Sequence, residues 1–263
     1  PTAQVSYSTT ELTNQDVVVT IKANKQLQAI NDWTLLSDKQ TLTKTYTSNT
    51  TETVTIKDLA GNTATVTVKI ANIDKTAPTA QVSYSTTELT NQDVVVTIKA
   101  NKQLQSISGW LISADKLSLT KTYVSNTTEN VTIKDLAGNT TAVTVKIANI
   151  DKTAPTAQIS YSTTELTNED VVVTIKANEK IQEVDGGTLS SDKLSLTKIY
   201  STNTTENITI KDLAGNTTAV KANITNIDKM APAVQVSYST TELTNQTVVV
   251  TIKANEKIQE VDG

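Results

Sequence analysis

Asp58, Asp135 and Asp212 each open the run Asp-Leu-Ala-Gly-Asn, and Asp74 and Asp151 each sit within Asn-Ile-Asp-Lys-Thr-Ala-Pro. Carboxylates accompanied by amide and carbonyl oxygens are the donor set that calcium prefers. Little other chemistry is open to this chain. It has no histidine and no cysteine, which removes Ser-His-Asp and Cys-His catalysis, imidazole- or thiolate-bound zinc, an imidazole pH switch and disulfides. The acid pair Glu165 and Asp170 falls in a solvated turn with no pocket implied, so glycoside hydrolysis is not indicated. The expectation is a protein that is not an enzyme.

Charge and hydropathy narrow the partners. A formal net charge of −4 is spread as interleaved Lys, Asp and Glu. No basic face is available for nucleic acid. No apolar run approaches the roughly 18 residues that a membrane span needs. The first residue is Pro1 and the only methionine is Met230, so the sequence reads as a window onto a longer chain, and the lack of a signal peptide carries no information.

The elements that would position these acids come as repeats. Pro1, Pro78, Pro155 and Pro232 each open a near copy of one stretch, 77 residues apart. Repeats 1 and 2 agree at 64 of 77 positions, and most differences fall between Ala29 and Thr41. The expected organisation is therefore three repeats at 1–77, 78–154 and 155–231, with an incomplete fourth at 232–263. Each repeat is close to the smallest size that buries an adequate core unaided.

Repeat 1 has 18 threonines, and its apolar residues alternate with polar ones, as in half-buried strands. Val17, Val19 and Ile21, then Val54 and Ile56, then Val66, Val68 and Ile70 form the inward sets. Turn residues divide the repeat into strands near 2–7, 16–23, 27–31, 34–37, 41–47, 52–58 and 63–72. Seven short antiparallel strands predict an all-β chain of tandem immunoglobulin-like β-sandwich domains. An odd number of passes enters at one pole and leaves at the other, so the domains are expected to follow one another as an extended rod.

With "LTNQDVVVTIKAN", "DLAGN" before the last strand and "NIDKTAP" at the seam, in fixed order and spacing, the chain resembles the bacterial immunoglobulin-like (Big) tandem repeats of cell-surface adhesins. The resemblance implies a secreted or wall-attached protein whose repeats act as spacers, with calcium at domain junctions in some members. It implies an extracellular place at a bacterial surface or cell wall, and a host, surface or cell-wall ligand met through regions outside this sequence.

Topology then places the acids. Asp74 should approach Asn101, Asp135 and Asn139 of repeat 2, and Asp151 should approach Asn178, Asp212 and Asn216 of repeat 3, as junction calcium sites. A second reading stands beside it, in which Asp58, Asp135 and Asp212 only stabilise their own tight turns, with Lys57, Lys134 and Lys75 as neighbouring cations. Pro78 fixes φ in a short linker.

Other residues invite chemistry. Lys44, Lys121 and Lys198 share parity with inward residues, which raises either an internal isopeptide cross-link or an edge guard. Trp33 and Trp110 read as half-buried rings covering a sheet edge, with Gly187 at the matching place in repeat 3. Asn49, Asn126 and Asn203, though followed by Thr-Thr, read as turn residues. The three strands of 232–263 would expose their inward faces, which opens self-association through the incomplete repeat. The expected function is a stalk or spacer. The rivals are a glycan- or protein-binding module using the varied segment 29–41, and a spacer array of a secreted glycan-degrading enzyme.

Overall fold

The computed structural model describes residues 1–182, 184 and 186–258. The chain divides into two compact units, Pro1–Asp151 and Lys152–Gly263. Among the described residues it is all-β, built of small antiparallel sheets with no helix.

In repeat 1 the strands are β1 (Ala3–Tyr7), β2 (Val17–Ala23), β3 (Thr34–Leu35), β4 (Thr41–Tyr46), β5 (Thr50–Lys57) and β6 (Thr63–Ile70). They form one sheet in the order β1-β2-β4-β3 and a two-stranded sheet of β5 and β6. Period-two alternation does the sorting: Val17, Val19 and Ile21 are fully buried while Val18 and Lys22 face water. These residues, with Leu42, Tyr46, Val54, Ile56, Val68 and Ile70, make one core between the two sheets, a sandwich-like arrangement. Each such buried aliphatic side chain contributes about 1.5–3 kcal/mol.

The strand expected at 27–31 is a correction. Only Leu27 pairs, in a single bridge to Asp58, with Gln28 N–H donating to the Lys57 carbonyl. The chain then turns, Trp33 N–H donating to the Ile30 carbonyl, and Asp32 takes φ 65°. A left-handed residue cannot continue an extended strand, and the turn delivers Trp33 to the core. β3 also stops early. Leu36 accepts from Lys39 N–H, Lys39 takes φ 54°, and the Asp38 carboxylate takes the Gln40 and Thr41 amides.

Six strands still carry the chain from pole to pole, because the irregular stretch 24–33 makes the missing pass. At the incoming pole, Asn24 N–H donates to the Thr2 carbonyl and its Oδ1 accepts from Thr2 N–H. At the outgoing pole Thr13 and Ile73 form a parallel bridge, and Asp74 N–H donates to the Thr13 carbonyl. Asn49 latches the same pole: its amide donates to the Ile73 carbonyl and its Oδ1 accepts from Ile73 N–H.

Repeat 2 repeats this with β7 (Ala80–Tyr84), β8 (Val94–Ala100), β9 (Leu111–Ile112), β10 (Ser118–Tyr123), β11 (Thr127–Lys134) and β12 (Thr140–Ile147), around its own core. The second unit holds β13 (Ala157–Tyr161), β14 (Val171–Ala177), β15 (Thr188–Leu189), β16 (Ser195–Tyr200), β17 (Thr204–Lys211) and β18 (Thr217–Ile224), around a third core. In repeat 3 the expected third strand includes Glu183 and Asp185, which lie outside the described residues, and the third strand expected in 232–263 falls mostly there too. What is described of that last segment is a hairpin, β19 (Val234–Tyr238) with β20 (Val250–Ala254). Val250 and Ile252 are 53% and 46% exposed, where their counterparts Val19 and Ile21 are fully buried.

Candidate cation site at the seam of the first two repeats

Within the first unit the outgoing pole of repeat 1 meets the incoming pole of repeat 2. Asn14 N–H donates to the Ala137 carbonyl at 2.9 Å, a backbone bond from one repeat to the next. Asn139 Nδ2 donates to the Asp74 carbonyl at 2.9 Å, and Thr141 Oγ1 donates to the Pro78 carbonyl at 2.6 Å. The short linker is thus held by side chains of the β11–β12 hairpin. Its Asp74 closes a small turn of its own, accepting from Thr76 N–H at 3.0 Å.

Asp74, Asp135 and Asn139 come together there. Asp135, 2% exposed, accepts from Asn139 N–H at 2.8 Å and from Asn139 Nδ2 at 3.0 Å. Asn101 takes no part. Its Oδ1 accepts from Thr79 N–H at 2.8 Å, latching the incoming chain to the end of β8.

The group between the two acids is the Lys102 ammonium. Its Nζ donates to Asp74 Oδ1 at 2.8 Å, to Asp74 Oδ2 at 2.6 Å and to the Thr76 carbonyl at 2.7 Å, and lies 3.7 Å from Asp135 Oδ2. Hydrogen bonds and charge from Lys102, with the Thr76 amide, hold the Asp74 carboxyl below its ordinary range. With a tethered cation on those oxygens, these residues as arranged do not fit a calcium ion, whose six to eight oxygen ligands would have to include the same ones. Nor is the partner a sequence neighbour: Lys75 is paired with Asp16 at 2.6 Å.

In the second unit Asp212 binds its own turn, accepting from Asn216 N–H at 2.8 Å, Gly215 N–H at 2.6 Å and Asn216 Nδ2 at 2.8 Å. Asn178 repeats the latch, its Oδ1 accepting from Thr156 N–H at 2.8 Å. Asp151 ends the first unit, its N–H donating to the Thr90 carbonyl.

Sequence reasoning missed Lys102, although a signal was present. The near-identical stretches read Asn-Lys-Gln-Leu at 24–27 and 101–104 but Asn-Glu-Lys-Ile at 178–181 and 255–258. The charge at this position reverses there, and a lysine appears at the next one.

A second cluster lies on the flank of each sandwich. Lys44 Nζ bonds Glu52 at 2.9 and 3.2 Å, and Tyr46 Oη donates to the same carboxylate at 2.7 Å. The ammonium sits 5.7 Å from the Trp33 ring centroid and 5.1 Å from that of Tyr46, within cation–π reach. Lys121 with Glu129 and Tyr123, and Lys198 with Glu206 and Tyr200, repeat the arrangement. Each of these lysines thus has a carboxylate partner, Glu52, Glu129 or Glu206. Hydrogen bonds from Lys44 and Tyr46, and the Lys44 charge, hold Glu52 below its ordinary range, whereas burial and then Glu52 push the Tyr46 phenol up. The triad as it stands is an ion pair of lysine and carboxylate.

The sign follows from the lowered value: the Glu52 contribution is present above the ordinary carboxylate range and lost as pH falls through the depressed one. Since Glu52 is about one-third exposed and screened by solvent, Glu52→Gln is expected to cost no more than about 1 kcal/mol near pH 7. Thermal melts of variant and parent should converge near pH 3. Equal separation at both pH values would show that charge is not what the triad contributes.

No known protein family and no curated protein matches this chain. One solved structure, described as a crystal structure with xylogluco-oligosaccharide, is similar at 12% identity and a TM-score of 0.26, over 80% of this chain and 56% of that one. The chain thus spans little more than half the length of that protein.

Proposed function

We propose that the chain is a structural spacer, a run of immunoglobulin-like domains in the stalk of a bacterial surface adhesin or comparable extracellular fibre. In this reading it projects a binding region from the cell and does no chemistry itself. The observation that supports it most is the seam inside the first unit. Linker, hairpin and β8 turn are tied by the Asn14–Ala137 backbone bond, by Asn139 on the Asp74 carbonyl, and by Lys102 on the Asp74 carboxylate. A flexible tether has no use for such ties; a stiff extension does. Passage of each repeat from one pole to the other serves the same end. The ligand would be a host, surface or cell-wall molecule met by other parts of the protein.

The varied segment 29–41 lends less to a binding module. Its tryptophan and that of repeat 2 are each 7% exposed, so neither presents a ring on which a sugar could stack. No helix among the described residues is long and apolar enough to cross a membrane.

Solution scattering tests the spacer. A compact globule of this length has a radius of gyration of roughly 18 Å, and a value well above it is expected. A measured radius near the globular one would end the proposal.

A further inference from the structure

We infer that the resident cation of the seam between repeats 1 and 2 is the Lys102 side chain itself, and that the residue at this position decides whether a seam needs a metal. The inference deepens the spacer proposal and rests on it.

The geometry is that of an ammonium fully used. Lys102 Nζ has three hydrogens and three short acceptors, the two Asp74 oxygens at 2.8 and 2.6 Å and the Thr76 carbonyl at 2.7 Å, with Asp135 as a fourth, longer contact at 3.7 Å. The acceptors come from both sides of the seam, so one side chain of repeat 2 neutralises an acid of the linker and an acid of its own hairpin.

Repeat 1 supplies an internal comparison. Lys25 is the counterpart of Lys102 and approaches Asp58, the counterpart of Asp135, at the same 3.7 Å. Its side chain is 57% exposed, against 25% for Lys102. Lys102 has further acceptors in the linker, the Asp74 carboxylate and the Thr76 carbonyl.

Without the ammonium, Asp74 and Asp135 would face each other across a partly buried space with like charge, and the seam would open or recruit a cation. A neutral side chain gives the first outcome. A glutamate adds a third carboxylate to the same oxygens, which is a hard-cation donor set. Glutamate stands at the matching positions 179 and 256, each followed by a lysine.

The absence of cysteine allows the test on the full chain. Spin labels at Ser48→Cys and Ser106→Cys, both exposed, report the distance between repeats 1 and 2. In the parent a narrow distribution is expected that neither a chelator nor calcium chloride changes. Lys102→Met should lose the narrow distribution in every buffer. Lys102→Glu should lose it in chelator and regain it with calcium chloride. Broadening of the parent by chelator, a Lys102→Met variant as narrow as the parent, or a Lys102→Glu variant that calcium leaves broad would each overturn the inference. The spacer proposal fails on overall dimension instead, so the two can be told apart.

Discussion

Asp135→Ala is expected to destabilise repeat 2 by roughly 2–4 kcal/mol and to loosen its seam with repeat 1 in the same step. The side chain is 2% exposed, yet it is satisfied on both oxygens by the turn it opens: Asn139 N–H on one, Asn139 Nδ2 on the other. Removing it leaves the partly buried Asn139 amide without an acceptor and frees the Asn139 side chain, whose Nδ2 also donates to the Asp74 carbonyl. The substitution also removes a negative charge 3.7 Å from the Lys102 ammonium. Asp135→Asn keeps one acceptor oxygen but sets an NH2 against the Asn139 amide, so it should recover only part of the loss. Denaturant melts of both variants provide the check. An alanine variant within 0.5 kcal/mol of the parent, roughly the scatter of neutral surface changes, would mean that the turn holds itself and that Asp135 is not its hinge.

That residue also shows how far the sequence could be read. The Asp-Leu-Ala-Gly-Asn turn, the alternating core residues and the partnership of Asp74, Asp135 and Asn139 are local or follow from strand parity, and periodicity exposes such features directly. Two things were hidden. Lys102 reaches its acid partners through tertiary packing, and within the sequence only the change to Glu179 and Glu256 at the matching positions sets it apart from the other lysines. The segment 27–31 has strand-like composition, but the left-handed Asp32, just before Trp33, turns it away after one bridge. Propensity gave way there to a local left-handed turn, which repeat 3 also makes without a tryptophan, Gly187 N–H donating to the Val184 carbonyl with Gly186 at φ 73°. In the same way Asn101 carries a ligand's oxygen, but the incoming Thr79 amide takes it first.

The tryptophan that repeat 3 lacks leads to the other large effect. Trp110 is 7% exposed and meets Tyr123 edge-on with centroids 6.4 Å apart, and its ring lies 5.6 Å from the Lys121 ammonium. Trp110→Ala should therefore cost about 3–5 kcal/mol, as for other large aromatic truncations in a packed site. Repeat 3 carries Gly187 at the matching place, and the simple expectation is that restoring a tryptophan there would stabilise it. The structure argues the reverse. A Cβ on Gly187 would lie 2.7 Å from Leu196 Cδ1 and 3.0 Å from its Cγ, so the side chain of Leu196, itself 1% exposed, would have to shift. Because a buried leucine must move to admit even one carbon, Gly187→Ala should cost roughly 1–3 kcal/mol through overpacking, and Gly187→Trp more. Both directions of the exchange are thus destabilising, which is the mark of two differently packed cores and not of one core with a missing piece. A Gly187→Trp variant that melts above the parent would show that Leu196 yields and that the two repeats share one packing solution after all.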